Sequence, residues 1–147
     1  MLEKDRIAPE IDLLVLSFPM HFTWEFLQAP LFLNMQTATH PEGIRTCFLA
    51  TLGDMGIVLA AFWVAALQAR TRGWVSHADW RSTGLFVGTG LVTTAVIEFL
   101  STEVFARWTY DPAMPRIPLI GTGLAPLLQW ALIPPLVLWY LCRLSKR

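Results

Sequence analysis

The sequence is poor in charge, cysteine and histidine. Charged residues make up 15% of its 147 positions, against about 25% in a soluble globular chain. Eleven Lys and Arg are balanced by eleven Asp and Glu, so the net charge is zero. No nucleic-acid partner is expected, because phosphate binding needs a basic surface, and an acidic tail protein is excluded as well. Two cysteines, Cys47 and Cys142, are too few for a disulfide scaffold. Also missing are a Gly-rich phosphate loop, a dinucleotide fingerprint, a Cys-x-x-Cys pair and a His-Glu-x-x-His motif. No nucleophile turn of the Ser-His-Asp kind can be traced. His21 is the sole histidine inside an apolar stretch, so a haem would lack a second axial histidine. His21, Glu25, Asp54 and Glu98 are acceptable metal ligands by type, but such sites usually hold more histidine. The expectation is therefore no metal and no cofactor.

What the chain has is apolar length. Hydrophobic residues make up 54% and the mean hydropathy is +0.49. Four runs approach the roughly 20 residues that a helix needs to cross the hydrocarbon of a bilayer: residues 13–33, 47–69, 84–105 and 118–142. The runs are continuous rather than alternating, which argues against a β-barrel. Short polar loops carrying turn residues separate them, so consecutive spans should be antiparallel neighbours. The expected fold is a single all-α domain, an integral membrane four-helix bundle with up-down topology. The first span should stay in the mature chain, since it is longer than a signal-peptide core and follows charges of both signs.

Basic residues orient the spans. Lys4, Arg6, Arg70, Arg72, Arg81, Arg143, Lys146 and Arg147 fall on one side, and Arg45, Arg107 and Arg116 on the other. The positive-inside bias then puts both termini in the cytoplasm, of an inner membrane if the source is bacterial. Cys47 and Cys142 lie near opposite faces and should not meet.

Ionisable groups within spans are costly and usually have a task or a partner. Counted from the outer end of each span at 1.5 Å per residue, Glu25 is roughly 12 Å deep, Asp54 and Glu98 roughly 10 Å, and Gln129 roughly 16 Å. Three acids from three spans thus fall in one layer. His21, Glu25 and Gln28 follow one another at i, i+4 and i+7 on one helical stripe. That spacing pairs His21 with Glu25. Thr94, Glu98 and Thr102 share another face. Such acids, not all of which can ionise in low dielectric, suit proton transfer. The catalytic candidates are therefore Glu25, Asp54, Glu98 and His21, with Glu25 as base and either Asp54 or Glu98, Asp54 by preference, as the neutral acid. The substrate-binding candidates are Gln28, Gln129 and Trp130 inside the membrane, with Arg107 and Arg116 on the third loop to receive an anionic head group. That loop, with prolines at 112, 115 and 118, should lie stiffly across the mouth of the bundle. Glycines at 84 and 88, in small-xxx-small spacing, should close-pack the cytoplasmic end.

In layout the chain resembles the four-helix membrane sterol isomerases, whose cavity holds acids and a histidine on the first two helices. His21, Glu25 and Asp54 fit that resemblance, and Glu98 on the third span departs from it. The expected function is a membrane-embedded, isomerase- or cyclase-like enzyme acting on a lipid or isoprenoid-like molecule. Two alternatives stand beside it. One is a small proton- or cation-coupled transporter, which four helices could form only as a homodimer or larger assembly. The other is a structural or assembly subunit whose acids meet a membrane-protein partner.

Overall fold

The computed structural model describes residues 8–146, so Lys4, Arg6 and Arg147 of the basic count lie outside the described residues. Within that range the chain is all-helical, with five α-helices and no strand. They are α1 (Pro9–Gln28), the single-turn α2 (Leu33–Gln36), α3 (His40–Ala69), α4 (Trp80–Phe99) and α5 (Leu124–Ser145). Three segments are long and apolar enough to cross a membrane: α3, α4 extended by its π-turn to Val104, and α5. α1 is not among them. Its Glu10, Asp12, His21, Glu25 and Gln28 dilute an otherwise apolar run.

The helix ends depart from the expected spans for identifiable reasons. α1 stops at Gln28 rather than at residue 33, because Pro30 sits in a 3-10 turn over Ala29–Leu31 and Phe32 is extended. α3 begins seven residues early, at His40. Thr39 and Glu42 form a capping box, and Pro41 occupies the first turn, where it sacrifices no hydrogen bond. His40 and Glu42 therefore belong to a helix start rather than to a loop. α4 loses its α register in the π-turn Leu100–Val104, and Ala106 follows at φ +47°. Arg107, just beyond, lies over the Trp108 ring at 5.7 Å. α5 starts only at Leu124, because residues 115–124 fold back on themselves. Ile117 N–H donates to Thr122 O, Leu124 N–H donates to Pro115 O, and Gly121 turns the chain at φ +67°.

α3 packs against α1 and α4, and α5 packs against the same two helices. The core gathers toward the end of the molecule where α3 leads into α4. There Phe62, Trp74 and Phe86 are all buried, and the Trp74 ring lies tilted against the other two, with centroids 5.9 and 5.6 Å away. Trp74 is thus a core residue rather than an interfacial anchor, whereas Trp80 and Trp139 do face outward. A Glu10–Arg72 ion pair and a Cys142 Sγ hydrogen bond to Val75 O (3.1 Å) tie the same end together. Both cysteines are free.

Gly84 and Gly88 do not close this packing, since a Cβ on either would meet nothing within 4 Å. The glycine that packs tightly is Gly90, where a Cβ would fall 1.9 Å from the Trp130 ring. Outside, the helices carry apolar side chains. Val15, Leu67 and Val92 are 65%, 76% and 65% exposed. An apolar surface this extensive is unsuited to water.

Candidate functional site

At the opposite end the helices leave a cavity of about 500 Å³, within the range of small-molecule sites. Its polar wall is assembled from one stripe of each long helix. α1 contributes Glu25 and Gln28 from its last turn. α3 contributes Asp54, about 20 Å along the helix from His40. α4 contributes Thr94 and Glu98, and α5 contributes Gln129.

Gln129 is the meeting point. Buried in the first turns of α5, its Nε2 lies 2.9 Å from Asp54 Oδ2, 3.2 Å from Glu25 Oε1 and 2.9 Å from His21 Nδ1. Gln28 Nε2 donates to the same Glu25 oxygen at 2.9 Å. His21 Nδ1 is 3.2 Å from Asp54 Oδ2. Protonated at Nδ1, the imidazole donates to Asp54 as a carboxylate and cannot also accept from Gln129 Nε2. The two amide hydrogens of Gln129 then serve Asp54 and Glu25.

The i, i+4 spacing on α1 had pointed His21 at Glu25; the imidazole instead turns across the interface to Asp54. The reason is local. His21 is completely buried against Trp130, with ring centroids 5.3 Å apart, and from there it faces α3 rather than its own helix.

Glu98 lines the same cavity with different partners. Tyr110 Oη donates to its Oε2, and Trp108 Nε1 does so at 3.4 Å. Both donors come from the third loop, which is laced to the segment after α1. Leu33 N–H donates to Thr109 O and Asp111 N–H to Leu31 O, an antiparallel bridge pairing Phe32 with Tyr110. Gln36 Nε2 adds a bond to Asp111 at 2.8 Å. The backbone amide of Ala113 and this Gln36 amide hold Asp111 below the usual carboxylate range. Burial, with Glu98 beside it, pushes the Tyr110 phenol far above its ordinary range, so it remains a hydrogen-bond donor at physiological pH.

The remaining candidates divide. Arg107 borders the cavity, although its side chain is exposed. Arg116 does not line the cavity; it lies over the Tyr110 ring at 5.1 Å. Trp130 is also absent from the wall. It is fully buried behind His21 and supports that ring instead of meeting a ligand. Trp24, partly buried, ties α1 to α5 through a bond from Nε1 to Ala125 O (3.1 Å). Sequence reasoning missed Tyr110 and Trp108 as partners of Glu98. The available signal was two aromatic donors at alternate positions beside a proline-rich turn, which suits an extended strand aimed at one face.

No set of three or more His, Cys, Asp or Glu among the described residues is arranged to hold a metal ion. Comparison of the chain with protein-family models, with curated proteins and with solved structures returns no match.

Proposed function

We propose that the chain is a membrane-embedded four-helix bundle that carries out acid–base chemistry on a lipid or isoprenoid-like molecule in this cavity. Isomerisation or cyclisation is the reaction class, since either needs a proton donor and an acceptor and no cofactor. The observation that carries the reading is the Glu25–Gln129–Asp54 bridge with His21 behind it. Two carboxyl groups held by one amide at a cavity wall do not both ionise cheaply, so one keeps a proton while the other accepts one.

His21 decides which. With the His21 proton placed on Nδ1, 3.2 Å from Asp54 Oδ2, Asp54 takes the role of the ionised base. This reverses the assignment drawn from helical spacing. Glu25 Oε1 accepts from both amides, which leaves the other oxygen to hold the transferable proton. Glu98, held by Tyr110 and Trp108, supplies a second negative focus that stabilises positive charge developing on the substrate.

A route for an apolar substrate supports this reading. Leu49 and Gly53 on α3 and Ile97 on α4 line the cavity and are also exposed on the apolar exterior. The orientation proposed is that of the positive-inside bias, with the end bearing Arg70, Arg72, Arg81, Arg143 and Lys146 toward the cytoplasm and the cavity in the outer leaflet. A reporter active only outside the cytoplasm, inserted after Ser76, should be silent; a strong signal inverts the orientation.

The test of function compares lipid extracts from cells with and without the gene by mass spectrometry, then repeats the comparison with Glu25→Gln and Asp54→Asn. A lipid species that is converted by the natural chain and left unconverted by both variants is the expected result. Unchanged lipids, or full activity in both variants, would give the ground to the proton- or cation-coupled carrier or the assembly subunit.

A further inference from the structure

A second recess, of about 370 Å³, lies at the packed end of the molecule, away from the three acids. Trp63, Ala66 and Leu67 wall it from the last two turns of α3, and Arg70, Thr71 and Arg72 form its rim. Trp63 is 42% exposed and Leu67 76%, so the apolar side of the recess opens onto the apolar exterior. The step from Trp63 to Arg70 is about 10 Å along the helix, from the apolar run to its charged edge.

The backbone builds the rim. α3 ends at Arg70 in the left-handed region, at φ +57°, where glycine is the usual residue. The turn carries Arg72 back over the helix, with Cζ 5.7 Å from the centre of the Trp63 ring. Glu10 of α1 pairs with one nitrogen of that guanidinium. Among the described residues Arg72 makes no other hydrogen bond, and the exposed Arg70 side chain makes none and has no ion pair. Thr71 Oγ1 accepts from Gly73 N–H at 3.1 Å and keeps its own hydrogen to give. The rim thus sets two guanidiniums and a hydroxyl against a single carboxylate.

We propose that this recess binds an anionic phospholipid from the leaflet at this end, with the phosphate on Arg70, Thr71 and Arg72 and an acyl chain along Leu67 and Trp63. Guanidinium groups match the geometry of phosphate oxygens, and the Trp63 ring and Glu10 hold that of Arg72 in place before the lipid arrives. A soluble anion would use the rim and leave the apolar wall bare. A zwitterionic lipid would bring its own cation to two arginines. An arginine at a turn that glycine makes with less strain gives up backbone ease for a charge, in keeping with a site. The inference rests on the membrane embedding proposed above and on none of the chemistry in the cavity.

The test strips the full chain of lipid in detergent and adds back phosphatidylglycerol or phosphatidylcholine with the same acyl chains, counting bound copies by native mass spectrometry. Phosphatidylglycerol should bind about fivefold more tightly or better, the scale of one basic side chain at an anionic surface. Arg70→Gly suits the turn, so folding is kept, and it should cost phosphatidylglycerol about fivefold while leaving phosphatidylcholine unchanged. Arg143→Gln removes a charge at the same end but outside the recess, over Trp139, and should leave both lipids unaffected. Equal binding of the two lipids overturns the inference, as does an equal loss in Arg70→Gly and Arg143→Gln, which would make the effect diffuse surface charge. Displacement of the lipid by an equal concentration of glycerophosphoglycerol also overturns it, since the recess would then be a site for soluble phosphate. A chain that selects phosphatidylglycerol but converts no lipid keeps this inference and removes the enzyme. One that converts a lipid without this selectivity does the reverse.

Discussion

The two ends of the helix set use buried volume in opposite ways. Where α3 leads into α4, Phe62, Trp74 and Phe86 fill the space with aromatic rings, and the main charged contact is the exterior Glu10–Arg72 pair. At the other end, the same helices surround about 500 Å³ of cavity walled by Glu25, Asp54, Glu98 and two glutamines. Packed aromatics gain dispersion contacts, whereas desolvated acids cost free energy unless hydrogen bonds offset them. One end is therefore built for cohesion, and the other carries a polar cost that the proposed chemistry would account for.

Substitutions should separate these roles. The largest effect is expected at the cavity. Glu25→Gln and Asp54→Asn should each lower turnover by roughly 10²-fold or more, while the melting temperature in detergent stays about the same for Glu25→Gln, which exchanges one neutral group for another, and stays the same or rises for Asp54→Asn, because a neutral amide is cheaper to bury than a charge. A variant that unfolds would make these acids part of the structural frame and erase the contrast. Next comes Phe86→Ala at the packed end. It should cost about 3 kcal/mol of stability, read by thermal or denaturant unfolding, with little change in turnover per folded molecule.

Smaller still is Tyr110→Phe. The ring would keep its packing on Phe32, at 5.5 Å between centroids, but Glu98 would lose its hydroxyl partner. Turnover should fall roughly tenfold, with stability little altered.

The smallest effect belongs to Asp79, which caps α4 by accepting from Ser82 N–H at 2.8 Å. That bond with Ser82 lowers the carboxyl below its ordinary range. Its stabilisation is therefore complete above the unfolded pKa of about 3.9 and is lost as the pH falls through the lower folded value. Asp79→Ala should melt slightly earlier at neutral pH, and the difference should vanish in acid. A constant difference at every pH would deny the cap its electrostatic part.

Much of the contrast is legible in the sequence. Depth counting brings Glu25, Asp54 and Glu98 to one layer, and all three line one cavity, because a helix in a continuous apolar run converts sequence offset into height. The capping box Thr39-x-x-Glu42 was equally readable as a helix start, and it explains why α3 exceeds its apolar stretch. Two things could not be counted. The choice of Asp54 over Glu25 by His21 depends on Trp130 closing one side of the imidazole, a tertiary fact invisible to helical spacing. The delivery of Tyr110 and Trp108 to Glu98 depends on residues 31–33 pairing with 109–111, a non-local backbone match with no periodic signal. The same pairing holds Phe32 extended beyond the end of α1.

The proposed entrance between α3 and α4 has a kinetic corollary. If Leu49, Gly53 and Ile97 frame the entrance, the bilayer rather than water is the medium from which the ligand is drawn. Saturation would then follow the mole fraction of substrate in the membrane and not its concentration in bulk. Diluting the vesicles with buffer would leave the rate per molecule unchanged, whereas diluting the substrate with inert phospholipid would slow it. Encounter becomes a search in two dimensions, set by membrane fluidity and by how much of the bilayer each molecule must patrol.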